Sequence, residues 1–333
     1  MFEPDADLDT TGSYSTADPN TLAIARTSTD HPIGVSLRLA LPPAESRVCI
    51  HLPQGSKPSR LDNQVIAAHG DSVLVRASRE GDYGKPKDYF VYNAGTTATD
   101  SPRPPSLSLL PPCYHYMYKD STGILRRSEN DLVVARLKIE ARNNGDKTPK
   151  KDHVAEMLMF RSGEWWNIRW ARIAGIENDE LGRYLWSSSS VIPVGDNMLC
   201  WVCLGRGLIF FNVDDDDARL VYVPLPEDPR SAYSGRNVCV TSAGNLVKFV
   251  NMFARCCCGG DGASECEHSK HCYVIKTWTL RMDSMTWVLD GMIDCTELWA
   301  LDAFKSLPHV RLEFPVVSMD EPHVICFMVH EKE

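Results

Sequence analysis

Short apolar runs recur along the whole chain, separated by Pro, Gly, Asp and Ser. The runs at 33–41, 48–52, 73–77, 89–92, 132–139, 157–160 and 191–194 are rich in β-branched and aromatic residues and bounded by turn formers, which predicts strands. The same pattern continues at 198–204, 208–213, 220–223, 238–240, 246–253, 273–280, 286–289, 312–317 and 324–329. Helical periodicity is scarce. Only 177–186 and 296–305 carry it, the second with Leu298, Trp299 and Leu301, and neither is long enough to cover a parallel sheet. Strands at this spacing, without alternating helices, predict a sandwich, barrel or propeller rather than βα units.

The best-defined local unit is the pair of apolar runs at 198–204 and 208–213, joined by Gly205-Arg206-Gly207. It reads as a β-hairpin buried on both faces, ending in the acidic turn at 214–217 and followed by a third strand from Leu220. Three stretches read as surface loops. The proline-rich stretch 102–112 should be extended and edge-like, 143–152 is a solvated turn, and 256–272 is a Cys- and Gly-rich interruption between two strands.

The hairpin, the strand 220–226, and the segment 235–240 leading to Leu246-Val247-Lys248-Phe249-Val250 together resemble a plant family known as domain of unknown function 1618 (DUF1618), greatly expanded in grasses. Further blocks share the resemblance: Asp88-Tyr89-Phe90-Val91-Tyr92-Asn93 with 105–111, Trp278-Thr279-Leu280 with 314–320, and the opening strands at 33–37 and 49–51. Their joint occurrence in order is what makes the match specific. It implies a mainly β, propeller-like plant protein with no assigned catalytic residues. At about 40–50 residues per blade the expected fold is an irregular propeller of about six blades, complete or not. The alternatives are a two-sheet β-sandwich-like or α+β arrangement. Residues 1–30 are expected to form an N-terminal extension and 31–330 a single β domain.

With 35 basic and 44 acidic side chains, the formal charge of −9 argues against nucleic acid as the main partner. The N-terminus is acidic where a signal peptide needs a basic then apolar stretch, no run approaches a membrane span, and no Asn-x-Ser/Thr acceptor occurs. A cytoplasmic or nuclear location follows as the expectation, not secretion. Of the 12 cysteines, the scattered Cys49, Cys113, Cys239, Cys295 and Cys326 then read as small hydrophobes, and no disulfide framework is expected.

The chemistry-bearing patterns are few. Cys256, Cys257, Cys258, Cys266, His268, His271 and Cys272 crowd one loop, but their spacing departs from the recurring zinc knuckles, so no metal site and no other cofactor is assigned; zinc at 256–272 is the one minor alternative. Cys200 and Cys203, three apart on a strand, point to opposite faces and cannot share an ion. The strings at 9–12 and 120–123 place a Thr where aspartic proteases need Gly, and read as polar turns. The run 214–217 lacks the ligand spacing of a calcium loop. Nucleophile elbows, phosphate loops and zinc helices are absent from the sequence, and His31, His51, His69, His115, His153, His309, His323 and His330 are dispersed. No catalytic or cofactor-binding residue is therefore assigned. In the aromatic stretch at 165–170, alternation puts Trp166, Ile168 and Trp170 on one core-facing side and Trp165, Asn167 and Arg169 on the other; core packing is the favoured role of the group, and an exposed Trp165 beside Arg169 as an interface anchor is the alternative.

These readings favour a non-catalytic protein-interaction module, its surface built from loops such as 102–112 and 256–272. A cryptic hydrolase with a pocket on the propeller axis is the alternative. A ubiquitin-ligase substrate adaptor, akin to the domains that follow F-box segments, is a weaker one, because no F-box helices are recognisable.

Overall fold

The computed structural model describes residues 6–41, 44, 46–56, 63–77, 86–96, 102–142, 152–174, 186–226, 235–241, 244–254, 273–304 and 312–329. The protein is all-β. Its strands form several small sheets, none closed on itself. The chain divides into two compact units, Met1–Glu140 with Ala155–Trp170, and Ala141–Val154 with Ala171–Glu333.

In the first unit, β1 (Asp7–Asp9), β2 (Ala23–Arg26), β3 (Pro32–Arg38) and β4 (Arg47–His51) form a sheet in the order β1-β4-β3-β2, with β1 parallel to β4. A second sheet is the antiparallel meander β5 (Gln64–His69), β6 (Ser72–Ala77), β7 (Asp88–Asn93) and β8 (Ser106–Leu109). A third runs β9 (Thr122–Ser128), β10 (Asp131–Arg142), β11 (Asp152–Arg161) and β12 (Asn167–Ala171), again in sequential order. The second sheet is apolar on both faces. Val73, Val75, Phe90 and Tyr92 pack on Ile33, Val35, Val48 and Ile50 of the first sheet. On the other side Leu74, Tyr89 and Val91 meet Ile124, Leu132, Val134 and Leu158 of the third. That double burial is why β6 and β7 read as unbroken apolar runs instead of alternating ones.

The second unit repeats the scheme. Here β13 (Ile173–Ala174), β14 (Ser190–Val194), β15 (Met198–Cys203), β16 (Gly207–Asn212) and β17 (Leu220–Pro224) form a sheet in which β13 lies parallel to β17. Next come β18 (Arg236–Thr241), β19 (Leu246–Ala254), β20 (Tyr273–Arg281) and β21 (Thr286–Asp294), then the helix α1 (Cys295–Ala300) and the pair β22 (Glu313–Val317) and β23 (Ile325–Met328). The expected hairpin is present: β15 and β16 pair Cys200 with Phe210 and Trp201 with Ile209. Cys200, Val202, Leu208 and Phe210 face Val247, Phe249 and Trp278, while Leu199, Trp201, Ile209 and Phe211 fill the opposite face and are equally buried. Gly207 is already in the strand, where the Val223 carbonyl of β17 comes so near that a Cβ would sit 2.4 Å from it. Cys200 and Cys203 are both buried core thiols, and burial drives the Cys200 thiol far above its usual range.

Some expectations need correction. The loop expected at 102–112 contains the edge strand β8, extended as its prolines require. The expected turn at 120–123 ends in β9, with Thr122 buried. Ile168 and Trp170 are not core: Trp170 is 50% exposed and Trp165 is 73% exposed. β12 starts after Trp166 and is the outermost strand of its sheet, and its residues 167–170 keep exposure on both faces. Trp166 instead turns inward, stacks 5.2 Å from Phe160 and donates its indole N–H to the Pro111 carbonyl at 2.8 Å. Of the two expected helices, 296–305 appears as α1 plus a 3-10 turn at Asp302–Phe304. Residues 177–185 lie outside the described residues, as do 256–272 and nearly all of 143–152.

Candidate functional site

Two places bring functional side chains together. The first follows from strand register in the opening sheet. Gly34 pairs with His51, Ser36 with Cys49, and Asp9 with His51, so Asp9, Ser36, Cys49 and His51 share one sheet face while Ile33, Val35 and Ile50 hold the core on the other. His51 Nδ1 lies 3.2 Å from Asp9 Oδ2, and its Nε2 lies 2.8 Å from Ser36 Oγ. With Nδ1–H donating to the carboxylate, Nε2 accepts the Ser36 hydroxyl proton. The order Ser-His-Asp is that of a hydrolase triad.

Accessibility decides against that chemistry. Ser36 and His51 are each only 1% exposed. The chain between β1 and β2 crosses this face: the Tyr14 ring stands 5.9 Å from the His51 ring, edge-on, and a Cβ on Gly34 would lie 2.8 Å from it. Thr21 fastens the crossing segment further, bonding the Leu37 N–H at 3.0 Å through its hydroxyl, while its carbonyl accepts the Tyr92 hydroxyl at 2.6 Å. A polar cleft of about 940 Å³ lies alongside, lined by Asp9, Arg38, Arg47, Cys49 and His51 but not by Ser36. Asp7 bridges Arg38 at 2.7 Å and Arg47 at 3.2 Å at its edge. Both imidazole nitrogens are engaged and the serine does not line the cleft, so the trio ties β1 to β4 and β3 rather than presenting a nucleophile. The Cys49 thiol is pushed up by burial, which keeps it protonated and unreactive.

Asp9 is the charged end of this chain. The Thr16 hydroxyl, then the Thr11 N–H at 2.9 Å, and further His51, hold its carboxyl well below the usual carboxylate range. A folded-state value depressed below about 3.9 contributes stability above that pH and loses it as acid titrates the folded carboxylate. Wild-type protein should therefore lose stability on acidification from pH 5 downward, and Asp9→Asn should be less stable at neutral pH by about 1–3 kcal/mol and show a flatter acid limb. Urea unfolding at a series of pH values measures both.

The second place is an apolar groove in the second unit, about 770 Å³, lined by Ile275, Ile293, Leu298, Trp299, Phe304, Leu312, His323, Ile325, Phe327 and Val329. One wall is α1, whose first turn is capped by the Asp294 carboxylate accepting the Thr296 N–H at 2.9 Å. The opposite wall is every second residue from His323 to Val329, the alternation of β23 and its flanks. From the β18–β21 sheet Ile275 and Ile293 line it, and Ile275 belongs to the core of Val250, Met252 and Tyr273 on that face of the sheet. A cavity of this size, mostly apolar with a single polar group, has the make-up of a binding site rather than a reaction centre.

Sequence reasoning singled out Leu298 and Trp299 as a helix but missed the groove, because its walls come from segments far apart in the chain. The 33–41 and 48–52 strands could have linked Ser36 to His51 through hairpin register; Asp9 drew notice only as the start of a polar turn at 9–12, with nothing to connect it to His51. The seven residues weighed for zinc, Cys256, Cys257, Cys258, Cys266, His268, His271 and Cys272, lie outside the described residues. Among the described residues no group of His, Cys, Asp or Glu is placed to hold a metal ion. The acidic turn at 214–217 is closed on itself, with the Asp217 N–H donating to Asp215 at 2.9 Å. No helix among the described residues is long and apolar enough to cross a membrane.

Fold and site thus define an all-β protein of small sheets, with an apolar surface groove and a sealed Ser-His-Asp chain. Residues 201–326 match the family model described as Protein of unknown function (DUF1618), the family whose resemblance was read from the sequence. The matched stretch takes in most of the groove, from Ile275 to Ile325. No curated protein matches the chain.

Proposed function

We propose that the protein is a non-catalytic interaction module, and that the groove between α1 and β23 receives part of a protein partner. The observation that carries this is the groove itself: an open apolar surface with Trp299, Phe304 and Phe327 in its walls, inside or bordering the family-matched stretch. Trp and other large aromatics in a concave site are the side chains that dominate binding energy. The sealed Ser36–His51–Asp9 chain supports the non-catalytic half of the reading. Among the described residues, six sheets that follow one another in chain order, five of them with four or more strands, support an irregular propeller-like scaffold as the frame.

Tagged full-length protein should capture a reproducible partner, and Trp299→Ala and Phe327→Ala should each weaken the isolated pair by about 30-fold or more, as a hot-spot loss implies. Ser36→Ala should leave that affinity unchanged. An affinity indifferent to both groove substitutions would contradict the reading, and so would labelling of Ser36 by a fluorophosphonate.

A further inference from the structure

The groove's second wall is, among the described residues, an outer strand. Among the described residues β23 has one sheet neighbour, β22, in a two-stranded sheet. The register pairs Val317 with Ile325 and Val316 with Cys326, and the Ser318 N–H bonds the Val324 carbonyl at 2.9 Å. In an antiparallel ladder the pairs alternate, so Cys326 turns its backbone groups toward β22 while Ile325 and Phe327 turn theirs to the outer edge. The side chains of those same two residues line the groove. A strand laid along that edge would therefore continue the Ile325–Phe327 face and send every second side chain into the apolar hollow beside Trp299. An exposed edge of this kind is a template for another chain.

Charge indicates what flanks the incoming strand. The exposed residues near it include three acids, Glu297 on α1 and Asp320 with Glu321 in the turn before β23, alongside the exposed Met319 and His323. Resting on the interaction reading above, we infer that the groove is a strand-addition site. It takes an extended segment of a partner protein, apolar at alternate positions and basic at its ends, which pairs with the outer edge of β23.

The test uses the full-length chain and a displayed library of short peptides, apolar at alternate positions and ending in Lys. The tightest peptide is remade with N-methyl groups on one alternating set of amides, and then on the other. One set should weaken binding by about tenfold or more, because it removes the bonds to Ile325 and Phe327, and the other set should change it little. Glu297→Lys and Glu321→Lys are surface changes that leave the core intact, and each should weaken the Lys-flanked peptide and make binding less salt-sensitive. If neither methylated set matters while Phe327→Ala, in a variant that unfolds at the wild-type midpoint, still abolishes binding, strand addition is wrong and the interaction reading survives. If no peptide binds in a way that Phe327→Ala affects, both fail together.

Discussion

Replacing Trp201 with Ala lowers the unfolding free energy by about 3–5 kcal/mol, among the largest losses any single side chain in this protein should cause. Trp201 sits fully buried in β15, paired with Ile209 across the hairpin and with Val191 on its other side. Truncation removes its transfer energy and leaves a cavity, because strands paired on both sides cannot collapse into the gap. Trp165, 73% exposed at the edge of another sheet, provides the control, since Trp165→Ala should shift stability by no more than about 0.5 kcal/mol. Denaturant unfolding of both variants checks the contrast. Equal effects would mean that the burial assigned to the hairpin is wrong.

Breaking the Arg136–Glu156 pair should cost nearly as much. Arg136 donates to Glu156 Oε1 at 2.6 Å and to the Tyr116 carbonyl at 2.9 Å, and both side chains of the ion pair are close to nine-tenths buried. Glu156→Ala leaves the guanidinium without its counter-charge in a poorly hydrated place and is expected to destabilise by about 3–5 kcal/mol. Removing both charges behaves differently: the Arg136→Met, Glu156→Leu double variant should recover most of that loss, since the desolvation cost disappears with the pair. A double-mutant cycle by urea unfolding gives the coupling. Additive effects would show that the two charges do not act as a unit.

Strand positions were legible in the sequence because the chain writes each buried strand as a compact apolar run between turn residues. The hairpin at 198–213 is the clearest case, with Cys200, Trp201, Phe210 and Phe211 apolar on both faces because the sheet is covered on both. The strands that escaped notice are polar or short. β1 is Asp-Leu-Asp, β9 begins in what looked like a polar turn, and β2 and β5 hold few large side chains. These are held by their neighbours rather than by their own pattern. Nor does composition mark the division into two units, which falls within β10, β11 and β12 rather than in a linker.

The sites were less legible for the same physical reason. Alternation alone put Ile168 and Trp170 in the core, but whether a strand face is covered depends on what packs over it, and β12 at the end of its sheet keeps both faces exposed. His51 looked like one dispersed histidine among many. Only parallel pairing of β1 with β4 brings Asp9 opposite it, and only the crossing segment with Tyr14 seals Ser36 beneath. The groove likewise joins residues from Ile275 to Val329 that no local motif connects.

Amide hydrogen exchange of the full-length chain, alone and with a captured protein partner bound, tests the central claim most directly. The account predicts that binding slows exchange in α1 and at Ile325 and Phe327 of β23, and leaves the amides around Asp9, Ser36 and His51 unchanged. Protection confined to the polar cleft of the first unit, with α1 and β23 unaffected, would contradict it.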